Sequence, residues 1–228
     1  MKTITLLCCA FAFFFAGCSK ETPNTNPPVT SDAYLNTTAG STWTYHEDNS
    51  SGAAPTSSDY TVTSTDKDST VGSRKYHIYN FSYGGSRYLN ISGNDYYQFD
   101  SIAGSNGTIL ERIYLKDNLD AGATWSQDFN INYPGLPVPV PLKITNKIVE
   151  KGITRTVNNT DYKDVIHVST SLSATGIPEG SLTSAIDSYY APKFGLIENT
   201  TKINLNLSLL GITQKVDVAT QLQSAVLK

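Results

Sequence analysis

Ile203-Asn204-Leu205-Asn206-Leu207-Ser208-Leu209-Leu210-Gly211-Ile212-Thr213-Gln214-Lys215-Val216-Asp217-Val218 carries the pattern that decides the fold. Ile203, Leu205, Leu207 and Leu209 alternate with Asn204, Asn206 and Ser208, so a strand here has one apolar face and one wet face. After Gly211, Val216, Val218, Leu222 and Val226 alternate with Lys215, Asp217, Gln221 and Gln223. The apolar parity switches from odd to even, as an even-length hairpin loop requires. A fold at Gly211-Ile212 sets Leu207 opposite Val216 and Leu205 opposite Val218 on one face.

The same alternation recurs upstream, at Leu142, Ile144 and Ile148 and at Ile166, Val168 and Leu172. Further strands are predicted at 43–46, 60–64, 75–83, 88–91, 96–99, 109–115 and 186–191, where aromatic and β-branched residues gather. No window of a dozen residues keeps a 3.6-residue apolar period. Turns at Gly84-Gly85 and Gly104 to Gly107 suit meander connections. Pro134 to Pro141, with four prolines, cannot donate a regular ladder and reads as a loop or a sheet-edge crossing. The expected fold is all-β: a strongly curved antiparallel sheet, a half-barrel with one face buried, with a β-sandwich as the alternative.

The chain has 228 residues, with 17 basic and 20 acidic side chains and a net charge of −3. That balance excludes nucleic acid, which needs a basic face against its phosphates. Charged residues are 16%, against about 25% in an ordinary soluble protein. One domain is expected over 34–228.

The N-terminal end indicates the compartment. Lys2 precedes an apolar run from Ile4 to Ala16, thirteen residues long. A membrane-spanning helix needs about 20, so the run has the length of a secretory core instead. It ends in Phe15-Ala16-Gly17-Cys18, which resembles the lipobox of bacterial lipoproteins. The resemblance implies removal of 1–17, a diacylglyceryl group on the Cys18 thiol and acylation of the new amine. Cys8 and Cys9 lie in the part removed, so Cys18 is the one cysteine left and no disulfide can form. Residues 19–33 carry Pro23, Pro27 and Pro28 and no aromatic residue, a composition that makes a semi-extended tether. The localisation implied is the bacterial outer membrane, lipid-anchored, on its periplasmic or its outer face.

Two motifs suggest relatives. Gly40-Ser41-Thr42-Trp43-Thr44-Tyr45 resembles the Gly-x-x-Trp-x-Tyr opening of exported bacterial lipoproteins of unknown function. Tyr189-Tyr190-Ala191-Pro192-Lys193-Phe194-Gly195-Leu196-Ile197 resembles a hairpin of the same group, with Lys193 in place of its first turn glycine. The resemblance implies a half-barrel like the lipoprotein carriers LolA and LolB, bent around an apolar concavity.

Motifs for chemistry are scarce. His46, His77 and His167 form no metal-binding spacing, and the sequence has no nucleophile elbow, phosphate loop or dinucleotide fingerprint. His46-Glu47-Asp48 is read as a solvated turn rather than a metal site, since strand neighbours point to opposite faces. No catalytic residue, metal or cofactor is expected, and the chain is read as a non-enzyme. The aromatics stand out: Tyr79, Phe81 and Tyr83 share a face with His77, and with Trp43 they are the candidate ligand-binding residues. The expected function is a membrane-anchored envelope lipoprotein that binds a lipid or other apolar ligand. The alternative is a surface module recognising glycan or protein partners.

Overall fold

The computed structural model describes residues 33–101, 109–132, 138–208 and 211–228. The lipobox, Cys18, most of the expected tether and the Gly104–Gly107 turn therefore lie outside the described residues. Among the described residues, twelve strands form one antiparallel sheet. They are β1 Thr42–Asn49, β2 Thr56–Val71, β3 Arg74–Phe81, β4 Ser86–Ser92, β5 Asp95–Ser101 and β6 Ile109–Lys116, followed by β7 Thr124–Ile131, β8 Val140–Val157, β9 Thr160–Ala174, β10 Leu182–Ala191, β11 Gly195–Leu207 and β12 Ile212–Val226. A single sheet replaces the alternative of a sandwich, and it is curled into a nearly closed barrel.

The strand order explains the curl. The sheet runs β6-β5-β4-β3-β2-β1-β12-β11-β10-β9-β8-β7, so its two edges are β6 and β7, consecutive in the chain. Laid flat, twelve strands would hold the edges roughly 50 Å apart, at about 4.8 Å per spacing. The connection 117–123 reaches less than about 30 Å when fully extended. The sheet must bend until its edges meet.

At the seam, side chains of β7 replace the missing ladder. Ile113 N–H donates to Gln127 Oε1 at 2.6 Å, and Ile113 O accepts from Trp125 Nε1 at 3.0 Å. Gln127 Nε2 also reaches Glu111 O at 3.4 Å. Sequence reading passed over β7, although Trp125, Phe129 and Ile131 alternate with Ser126, Asp128 and Asn130. The other expected strands are present, most of them longer than expected. Val140 and Pro141 open β8, where proline does least harm to a ladder, while 133–137 lie outside the described residues.

The C-terminal hairpin corrects one expectation. Leu207 pairs with Ile212, Ile203 with Val216 and Thr201 with Val218, so the register is moved along the hairpin from the expected pairing. Gly211 does not sit at the corner of the turn. It lies immediately before β12, four residues after Leu207, with φ +68° and its N–H donating to Ser208 O at 3.0 Å. Leu209 lies outside the described residues. Parity survives the slip, because both loops are even, so the apolar residues still share a face. Val226 is a second correction: it is 58% exposed. Register shifts between Thr44 and Tyr45 where β1 meets β12, which reverses the faces beyond Leu222 and turns Ala225 inward.

The inner faces form the main core, with Trp43, Tyr45, Tyr79, Tyr96, Tyr114, Ile148, Ile166, Ile197 and Leu222 all buried. Both described apolar clusters and every strand lie between Leu35 and Lys228. The described residues of 33–228 thus carry a core of their own.

Candidate functional site

A cavity of about 350 Å³ lies within the curve of the sheet. Its apolar wall includes Val62, Leu89, Leu110, Ile144, Leu172 and Ile203, and its aromatic wall Trp43, Tyr45, Tyr79, Tyr114 and Tyr190. These residues come from β1, β2, β3, β4, β6, β8, β9, β10 and β11. Alternation along each strand delivers one wall residue in two, and curvature makes those rows converge. Polar residues on the wall include Arg87, Gln98, Arg112, Ser188 and Asn199, and Arg112 bonds Gln98 Oε1 at 3.3 Å.

The first described residues cross one end of the barrel as a strap. Leu35 is buried, and Tyr34 and Asn36 line the cavity with it. Tyr34 N–H donates to Tyr96 Oη at 3.1 Å, Tyr34 Oη to Asp164 O at 2.7 Å, and Tyr79 Oη to Asn36 O at 2.7 Å. Lys193 N–H fixes Ala33 O at 2.7 Å from the β10–β11 turn. Lys193 there has φ +68°, a left-handed conformation that a glycine would adopt without strain.

The candidate aromatics separate. Trp43 and Tyr79 stand on the cavity wall with their rings edge to face at 5.9 Å. Phe81 ends β3 half-buried, and Tyr83 lies in the turn beyond it, 70% exposed. Those two rings stack at 5.0 Å and 17°. Tyr60 bridges the groups, stacked on Tyr45 at 5.5 Å and edge-on to Tyr83 at 5.5 Å. Burial raises the pKa of the wall residues Tyr45, Tyr79, Tyr114 and Tyr190, and pushes that of Tyr60, packed behind Tyr45, up to about 12.

Sequence reading missed three histidine clusters that exist only through strand register. His46 Nδ1 meets Asp59 Oδ1 at 2.6 Å and its Nε2 meets Ser57 Oγ at 2.9 Å. The Asp59 hydrogen bond leads the causes that raise the His46 pKa. His77 repeats the pattern between Asp68 at 2.9 Å and Ser64 at 2.8 Å. His167 Nε2 meets Asp187 Oδ1 at 2.8 Å, with Glu150 at 3.5 Å on the other nitrogen. The first two have the connectivity of a serine–histidine–aspartate triad. Acyl transfer also needs donors aimed at an oxyanion and walls to hold the substrate. Ser57 is exposed and Ser64 is 1% exposed, and both clusters link side chains of neighbouring strands. Among the described residues, no group of three or more His, Cys, Asp or Glu side chains is placed to hold a metal ion.

No family model matches the chain, and no curated protein does. Two crystal structures are similar. One is a candidate lipoprotein from Parabacteroides distasonis, with TM-score 0.48 and 10% identity over 85% of this chain and 98% of that one. The other is a candidate exported protein with a YmcC-like fold from Bacteroides fragilis, with TM-score 0.41 and 10% identity over 84% of this chain and 98% of that one.

Proposed function

We propose that this chain is a bacterial envelope lipoprotein, anchored through Cys18 to the outer membrane, whose barrel holds a small apolar ligand without acting on it. The observation that carries the reading is the aromatic and aliphatic cavity of about 350 Å³, within the size range of small-molecule sites. Where the rings point favours a cavity ligand over surface recognition. Trp43, Tyr45 and Tyr79 face inward, and Tyr83 is the one broadly exposed aromatic among the described residues. One broadly exposed ring, backed by half-buried Phe81 and Tyr60, offers a glycan little flat apolar area. The strap at 34–36 brings the chain from the proposed tether to one end of the cavity.

Native mass spectrometry of residues 33–228, purified without detergent, tests the reading. A stoichiometric adduct of small-lipid mass, lost on denaturation, is the expected result. A clean apo mass, together with no binding of added amphiphiles, would overturn it.

A further inference from the structure

Arg87 occupies an unusual place. It sits on β4 opposite Tyr79, an inward residue, and its side chain lines the cavity. Among the described residues its guanidinium makes no hydrogen bond or ion pair, and it lies over the Phe81 ring, 4.9 Å from the centroid. The described lining contains no aspartate or glutamate. A half-buried cation is costly unless something supplies the opposite charge, and a single cation–π contact offsets only part of that cost.

Two other observations agree. Trp43 also lines the cavity, is 4% exposed, and its indole N–H has no acceptor. A buried donor left unsatisfied is costly, so a site that keeps one is suited to a ligand that accepts from it. The positive field also extends across the wall. The Arg87 charge opposes the burial-driven rise in the pKa of Tyr45, Tyr60, Tyr114 and Tyr190, and Arg112 acts on Tyr190 as well. The cavity thus offers aliphatic surface, a surplus donor and an unpaired cation, in a protein whose net charge is −3.

We infer that the ligand is a single-chain amphiphile with an anionic oxygen headgroup, a carboxylate or a phosphate monoester, and that Arg87 is its counter-ion. The inference rests on the cavity reading above and adds charge to it. A guanidinium suits either head, because its planar fork matches two oxygens at once. The volume of about 350 Å³ suits one chain rather than the pair of a diacyl lipid.

The test is calorimetric titration of residues 33–228 with dodecanoate, dodecyl phosphate and dodecanol, below their aggregation thresholds. The wild-type domain should bind at least one anion about tenfold or more tightly than the alcohol. Arg87→Gln should erase that preference by weakening the anions at least about tenfold more than dodecanol, and Arg87→Lys should keep part of it. Thermal melts of both variants establish that they fold, and the lysine variant separates loss of charge from loss of structure. The stronger of the two anions names the headgroup. Equal binding of all three probes, or an anion preference that survives Arg87→Gln, would overturn the assignment and leave the cavity reading standing. Failure of every probe to bind would remove both.

Discussion

The Trp125 indole N–H donates to the Ile113 carbonyl at 3.0 Å across the one break in the hydrogen-bonded order of the sheet. Gln127 Oε1 takes the Ile113 N–H at 2.6 Å, so one residue of β6 has both backbone groups answered by side chains of β7. An exposed sheet edge invites pairing with another chain, and here the two edges protect one another.

Trp125→Phe keeps the ring and removes the donor, and Gln127→Leu removes the acceptor. Each should destabilise the domain by about 1–3 kcal/mol, since each strips a partner from a backbone group at the seam. Urea unfolding reads the cost. The double variant should also speed hydrogen exchange at Ile113 ahead of the amides of β11. Unchanged exchange there would mean that the seam is held by something else.

The reversal of faces at the β1–β12 irregularity separates two apolar residues four apart. Leu222 is 0% exposed and Val226 58%. Leu222→Ala should cost about 2–5 kcal/mol through lost burial and the cavity left behind. Val226→Ser should fall within about 0.5 kcal/mol of wild type. Denaturant midpoints compare them, and equal costs would show that the strand keeps its alternation to the end.

Tyr79 joins the strap to the cavity wall through its bond to Asn36 O. Tyr79→Phe preserves the ring and should cost about 1 kcal/mol. Its distinctive effect should be local: faster exchange and earlier proteolysis at residues 34–36 than elsewhere. A loss spread evenly over the domain would argue against a strap held at this point.

Alkali should unfold the protein through its tyrosines. Burial raises the phenol pKa of Tyr60 to about 12 and raises Tyr45, Tyr114 and Tyr190, while the unfolded value is about 10. These phenols therefore leave stability unchanged below about pH 10. Above it the unfolded chain releases protons that the folded chain retains, so stability falls as pH rises, by about 1.4 kcal/mol per pH unit for each such phenol. Absorbance of phenolate and far-ultraviolet dichroism should change together in one transition. Gradual ionisation without loss of strand signal would show that these rings are accessible.

The alternation of Ile203, Leu205 and Leu207 against Asn204 and Asn206, and its repeats upstream, made the all-β class and the inward parity legible, because side-chain period is a local property of a strand. Trp43 could be assigned to an inner face for the same reason. Register was not legible. Several even loops satisfy one parity, and the choice among them at Gly211 depends on which backbone positions the neighbouring strands leave to be paired. Closure of the sheet depended on β7, whose Trp125 and Gln127 gain their meaning only when they face Ile113 across the seam. The histidine clusters and the setting of Arg87 likewise arise from residues far apart in sequence. The sequence by itself determined composition and the local alternation of faces within each strand. Tertiary structure decided registers, the seam and the cavity, because each is a relation between strands that no single strand encodes.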